Sequence, residues 1–298
     1  MSEIRVATRA SALARAQTGW VRERIASITG SVVTEVLVTT QGDTSTAALT
    51  SFGGQGVFVT AVRQALIDGR ADVAVHSMKD LPTAPDARTE IVAVPEREDV
   101  RDFLVATTDG LHDLPAGAKV GTGSPRRMAY LRRVRPDLQV VDIRGNVDSR
   151  VAKVAGGELD AVVVALAGLR RLGLEPAGVP LSTDTMLPAV GQGALAVEML
   201  RDHPAVQEVT AIDDPLSRAA VMAERDLLAG LRAGCSAPVG ALAHARADAV
   251  SLRAAVLSQD GTQMYECTTT GTQGSAVGQR AADDLIGQGA GRLLGDDR

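Results

Sequence analysis

Seven arginines fall between Arg126 and Arg150, and four of them stand where a cation is poorly tolerated. Ser124-Pro125 reads as a helix start, with Ser as the N-cap and Pro in the first turn. Arg126 and Arg127 then take the second and third helical positions. There the positive end of the helix dipole repels each cation by on the order of 0.3 kcal/mol or more. Two arginines at that place make sense if an anion binds at the helix start. Arg144 is expected to close a strand, Asn146 to cap the next helix, and Arg150 to sit one turn in. Arg9 precedes a Ser11 cap near the N-terminus in the same way. Taken singly, each arginine reads as a solvated side chain. As a set at matching positions they point to a multi-carboxylate or phosphate ligand, which the planar guanidinium fork suits.

His76-Ser77-Met78-Lys79-Asp80-Leu81-Pro82 follows an apolar strand pattern. Lys79 is one of 3 lysines beside 28 arginines. It could serve as a Schiff-base or phosphate lysine, or simply be solvated. Asp80 could cap a turn before Leu-Pro or act as a catalytic carboxylate, and spacing alone leaves both open. Gly121-Thr122-Gly123 resembles a dinucleotide turn, but Arg126 stands where the third glycine belongs. Asp142, at about the distance of the acidic residue that would follow, does not repair that motif. Cys235, between Gly234 and Ser236, is either a small core residue or an accessible thiol.

The whole-chain numbers narrow these options. A net charge of −5 gives no general field for polyanions, so any anion site must be a local cluster. One Trp, two Tyr and three Phe leave no aromatic platforms for stacking single-stranded nucleic acid. Four scattered histidines and two cysteines without a CxxC argue against zinc and against a disulfide framework. No metal is expected. Apolar residues make up 45%, so the core must be Val, Leu, Ile and Ala. The longest apolar run, Ala161 to Leu169, is about half a membrane span. No apolar stretch of signal-peptide length follows Met1-Ser2-Glu3-Ile4-Arg5. A soluble cytoplasmic protein, with neither nucleic acid nor membrane as partner, is expected.

These side chains need a scaffold, and short apolar runs alternating with helical patterns predict an α/β fold with largely parallel sheets. Strands are read at Ile4–Thr8, Val32–Val38 and Asp72–His76, with helices from Ser11 to about Ser27 and from Val57 to Asp68. A Gly-rich stretch from Gln41 to Gly56 is too long for a simple connection. The chain then echoes itself. Lys119–Ser124 resembles Arg5–Ser11, and Gly157–Val163 resembles Gly69–Val75. The echo predicts two similar α/β domains with a ligand cleft at the carboxyl ends of their strands. After Gly193 come a helix from Pro215 to Ala229, three strands near Val239–Ala245, Val250–Ser258 and Gln263–Thr269, and a last helix from Ser275 to Ile286.

Together these pieces resemble the porphobilinogen deaminase family. The resemblance rests on Thr8-Arg9-Ala10-Ser11-Ala12-Leu13-Ala14, Val75 to Pro82, Gly121-Thr122 with Ser124 and Arg126-Arg127, Arg144-Gly145-Asn146-Val147, Leu187 to Gly193, and Gly234-Cys235. It runs in order along nearly the whole chain. It implies two periplasmic-binding-protein-like lobes, 1–98 with 194–212 and 99–193, plus a small α+β domain from 213 to 298. It implies a dipyrromethane cofactor joined to Cys235 through a thioether, onto which four porphobilinogen molecules are condensed with loss of ammonia. The linear hydroxymethylbilane is then released by hydrolysis.

By resemblance Ser77, Lys79, Thr122, Ser124, Arg126, Arg127 and Gln192 hold the cofactor, and Arg9, Ser11, Arg144 and Arg150 hold the incoming ring. Asp80 is the catalytic carboxylate, set against cationic pyrrole intermediates. His76 reads as structural. Porphobilinogen is the expected partner and a monomer the expected state. Gln41 and Gln55 depart from basic residues common in the family's loop, and Gly123 from a frequent Ser. The rival from another class is a non-enzymatic carboxylate-binding protein of two-lobe build, against which Asp80 and Gly234-Cys235 count.

Overall fold

The computed structural model describes residues 3–38, 57–234 and 236–295. The expectations placed on Gln41, Gln55 and Cys235 lie outside the described residues. The chain divides into two compact units, one of residues 1–97 and 194–218, the other of residues 98–193 and 219–298.

In the first unit, β1 (Glu3–Arg9), α1 (Ala12–Thr29), β2 (Val32–Val38), α2 (Val57–Ile67), β3 (Val73–Ser77) and β4 (Thr89–Ala93) follow one another. The second unit begins with β5 (Asp102–Val105), β6 (Lys119–Gly121), α3 (Pro125–Val134), β7 (Gln139–Val141), α4 (Val147–Ala155), β8 (Ala161–Ala165), α5 (Leu166–Leu172) and β9 (Gly178–Pro180). β10 (Leu195–Leu200) returns to the first unit. α6 (Pro215–Gly230), β11 (Val239–Ala245), β12 (Val250–Leu257), β13 (Met264–Gly271) and α7 (Gly274–Gln288) complete the chain.

The first unit's sheet runs β2-β1-β3-β10-β4 and the second unit's β7-β6-β8-β5-β9. In each, three parallel strands come first. Two antiparallel pairings follow, made by the strand that crosses over from the other half of the chain. The expectation of largely parallel sheets is corrected accordingly, because a crossing strand brings no helix back over the sheet and enters in the opposite sense. The α/β class stands.

Strand alternation sorts the apolar residues onto two faces. Ile4, Val6, Val73 and Val75 meet Val21 and Ile25 of α1, whereas Ala7 and Ala74 meet Val62, Ala65 and Leu66 of α2. In the second unit, Val120, Leu104 and Val163 pack with Ala129 and Leu131 of α3, and Val162 and Val164 face Val151 and Leu169. Leu242, Ala255 and Leu257 of the three-stranded sheet β11-β12-β13 join the core that holds Tyr130 and Leu187.

The sequence echo has a physical counterpart. Asp72 accepts from the Arg5 N–H at 2.8 Å and its own N–H donates to Arg5 O. Asp160 accepts from the Lys119 N–H at 2.7 Å and donates to Lys119 O. Each aspartate therefore ties the start of one parallel strand to the start of its neighbour.

Candidate active site

In the first unit the candidate residues stand at the carboxyl ends of two adjacent parallel strands. β1 ends at Arg9, and Ser11 caps α1, its hydroxyl accepting from the Ala14 N–H at 3.4 Å. β3 ends at Ser77, and Met78–Asp80 makes a single 3-10 turn that leaves Asp80 exposed and Lys79 half-buried. The turn is pinned from below by Met78, 1% exposed, whose N–H donates to Ala194 O at 3.0 Å. The Ser77 hydroxyl exchanges hydrogen bonds with the Gln17 side chain at 2.8 and 3.2 Å.

Beneath that strand end lies a buried carboxylate that sequence reasoning did not single out. Glu198 Oε2 is 3.0 Å from His76 Nε2, and its Oε1 accepts from Arg63 Nε at 2.9 Å and from the Thr89 hydroxyl at 2.5 Å. Burial alone would raise the Glu198 carboxyl, but its hydrogen bonds with His76, Thr89 and Arg63 push it down to about 2. His76 is buried in this network, which is the structural place expected of it.

In the second unit the helix start is built as read. Ser124 is the N-cap, its hydroxyl accepting from the Arg127 N–H at 3.5 Å, and Pro125 opens the helix. Thr122 is wholly buried beside it and accepts from the Ser124 N–H at 3.3 Å. Asn146 holds the N-cap position of α4, but among the described residues its side chain makes no capping bond; Ser149 donates to its carbonyl instead. Arg144 does not close a strand. β7 ends at Val141 because its partner β6 stops at Gly121 to turn into the α3 cap, so Arg144 lies in the following loop. It pairs there with Asp142 at 3.0 Å. Arg150 Nε donates to Gly145 O at 2.8 Å. Burial first, and then the nearby cations Arg127 and Arg144, lower its pKa, which marks a locally positive region in a net-acidic chain.

Arg126 and Arg127 are 2% and 5% exposed. Their partner is Asp102, fully buried at the start of β5. Asp102 Oδ1 accepts from Arg127 Nε at 2.9 Å and Nη2 at 2.7 Å, and Oδ2 lies 2.8 Å from Arg126 Nη1. Burial would raise this carboxyl, yet the two guanidiniums hold it well below the usual range. Gln192 Nε2 donates to Asp102 Oδ1 at 2.9 Å and to Val100 O at 2.7 Å.

Charged side chains, two of them buried, also fix the Leu187–Gly193 segment. Arg126 donates to Leu187 O, Glu224 accepts from the Gly191 N–H at 2.8 Å, and Arg171 donates to Gly193 O at 2.6 Å. Gly193 has φ +88, and a Cβ there would lie 2.3 Å from Glu98 O, so only glycine fits. Asp102, Glu198 and Glu224 were all missed. For Glu198 the signal that could have found it is a lone carboxylate inside the apolar run Leu195–Leu200, whereas Asp102 and Glu224 stand beside other charged residues and carry no such local signal.

Against known proteins, the family model "Porphobilinogen deaminase, dipyromethane cofactor binding domain" matches residues 4–208. The model of the porphobilinogen deaminase C-terminal domain matches residues 218–287. The chain belongs to the porphobilinogen deaminase family.

Porphobilinogen deaminase 1 of Streptomyces coelicolor is 49% identical to it, across 98% of both chains. The porphobilinogen deaminase of Thermobifida fusca is 50% identical, across 98% of this chain and 96% of that protein. Among solved structures, the methionine-binding protein MetQ aligns with a TM-score of 0.46 and 12% identity, over 70% of this chain and 89% of MetQ. The porphobilinogen deaminase cofactor-domain match spans every residue placed above from Arg9 to Glu198, and Cys235 falls in the C-terminal match. Among the described residues no helix is long and apolar enough to cross a membrane.

Proposed function

We infer that this chain is a porphobilinogen deaminase, a transferase of tetrapyrrole biosynthesis that acts as a hydroxymethylbilane synthase. It joins four porphobilinogen molecules head to tail, loses one ammonia at each step, and releases hydroxymethylbilane by hydrolysis. The observation that carries this reading is the family match along nearly the whole chain, and the buried Arg126 and Arg127 at the start of α3 support it. The non-enzymatic binding alternative is not favoured by that match.

The residues present fit a carboxylate-bearing dipyrromethane. Arg126 Nε is a buried donor with no hydrogen-bond partner among the described residues, which is what a site built for one more carboxylate leaves behind. When bound through Cys235, the cofactor supplies the pyrrole carbon from which the chain grows. Thr122, Ser124 and Arg126 at the α3 start hold its acetate and propionate groups, with Arg127 and Gln192 packed behind them. Ser77 and Lys79 belong to the same cofactor set. Arg9, Ser11, Arg144 and Arg150 receive the incoming ring. Each ring brings two carboxylates, which a net-acidic protein can hold only with a local cluster of guanidiniums. Asp80 stands on the 3-10 turn after β3 and stabilises positive charge developing on pyrrole N–H groups, moving a proton where one is needed. The chain works as a soluble monomer on porphobilinogen in the cytoplasm.

Mass spectrometry tests this directly. Denatured protein should weigh more than its sequence by two pyrrole units, and brief exposure to porphobilinogen should add one-ring steps that stop short of the full product. Cys235→Ala should restore the bare mass, and Cys267→Ala should leave the increment in place. Active protein at its bare sequence mass would sink the assignment.

A further inference from the structure

We propose that Arg126 and Arg127 divide their work: Arg126 meets the ligand carboxylate, while Arg127 and Asp102 are positioning residues that hold Arg126 in place. This rests on the reading that the chain carries a carboxylate-bearing cofactor. The two arginines are neighbours in sequence, equally buried and on the same helical turn, yet their donors differ. A guanidinium has five N–H donors. Arg127 engages four of them with protein acceptors: Nε and Nη2 with Asp102 Oδ1, Nη2 with Gln192 Oε1 at 3.4 Å, and Nη1 with Val163 O at 3.1 Å. Arg126 turns Nη1 to Asp102 and Leu187 O and leaves Nε, although buried, without an acceptor among the described residues. A buried donor in a built network is satisfied in the state the network serves.

The charges agree. Two guanidiniums and one carboxylate leave the cluster at +1, and a single ligand carboxylate neutralises it. Asp102, itself fully buried, already occupies Arg127 through two hydrogen bonds to its Oδ1. Its Oδ1 thus plays toward Arg127 the part that a ligand carboxylate plays toward Arg126, while its Oδ2 holds Arg126 Nη1 at 2.8 Å.

Charge-restoring double variants separate the two arginines. Arg127→Gln and Arg126→Gln each leave the cluster neutral, and both should lose the two-pyrrole mass increment. Adding Asp102→Asn returns either cluster to +1, and Asn still offers one oxygen to the remaining guanidinium. Asp102→Asn/Arg127→Gln should regain the increment in most molecules, whereas Asp102→Asn/Arg126→Gln should stay at least tenfold lower. Equal occupancy in the two folded doubles, or the reverse order, would overturn the division. If either double fails to give a cooperative thermal transition, arginine side-chain NMR decides with wild-type protein and Cys235→Ala. The Arg126 Nε–H resonance should shift between them and the Arg127 resonance should not; equal shifts would overturn the proposal. A wild-type protein at bare mass would instead remove the cofactor reading and this division with it.

Discussion

Asp80 and Glu198 place two carboxylates of the first unit in opposite environments. Asp80 is exposed on the turn after β3, and Glu198 is 2% exposed on β10. Asp80→Ala removes no buried contact, so its thermal midpoint should stay within about two degrees of the parent. Its turnover should fall by roughly a hundred- to a thousand-fold, because the lost interaction strengthens in the transition state. Asp80→Glu should keep part of the rate. Near-normal turnover in the alanine variant would take Asp80 out of the chemistry.

Glu198 acts on stability instead. Its folded pKa of about 2 lies below the ordinary 4.5, so the folded state binds this proton less readily than the unfolded chain. The stabilisation is therefore complete above about pH 4.5 and is lost as the pH falls toward 2, by about 3 kcal/mol in all. Glu198→Gln should be less stable at neutral pH and should show a flatter acid limb in thermal melts across that window. An unchanged acid limb would show that other groups carry it.

At the scale of elements, α3 links the candidate site to the C-terminal sheet. Its first turn carries Arg126 and Arg127, and its last turn holds the β12–β13 turn through Arg132 to Gln259 O at 2.7 Å and Arg133 to Gly261 O at 3.3 Å. Gly261 has φ +76, and a Cβ there would come within 2.5 Å of Ala129 O on α3. Gly261→Ala should cost roughly 2 kcal/mol or more, through strain and displacement of the helix. It should also lower the fraction of molecules carrying the cofactor mass. A variant with parental melting temperature and full occupancy would show that this seat is loose. The start of α3 was legible because a Ser-Pro cap is a local signal, and β2 was read as Val32–Val38 from its apolar run alone. The end of β7 was not legible, since a short strand stops where its neighbour stops, and the neighbour is set by tertiary pairing.

At the scale of the whole molecule, a charge of −5 offers no long-range attraction to a carboxylate-rich substrate, so local guanidiniums must do the binding. Those guanidiniums differ in exposure. The Arg144 side chain is 61% exposed and open to screening, whereas that of Arg126 is only 3% exposed. Raising ionic strength from about 0.05 to 0.5 M shortens the screening length from roughly 14 to about 4 Å. The porphobilinogen KM should then rise several-fold with kcat nearly constant, and the covalent mass increment should not change. Arg144→Leu should weaken that salt dependence and accumulate incomplete chains. A salt response in the variant equal to the parent's would place the screened contact elsewhere.

The amino-acid sequence by itself determined the element starts, the internal echo, the arginine set and the family, because caps, periodicity and motifs are carried by residues near one another in the chain. Tertiary structure alone decided which strands run antiparallel and which carboxylates answer the buried arginines. Asp102 and Arg127 are 25 residues apart, and Glu198 and His76 are 122 apart. A charge can be buried only where a partner from a distant segment meets it, and no local pattern states that meeting.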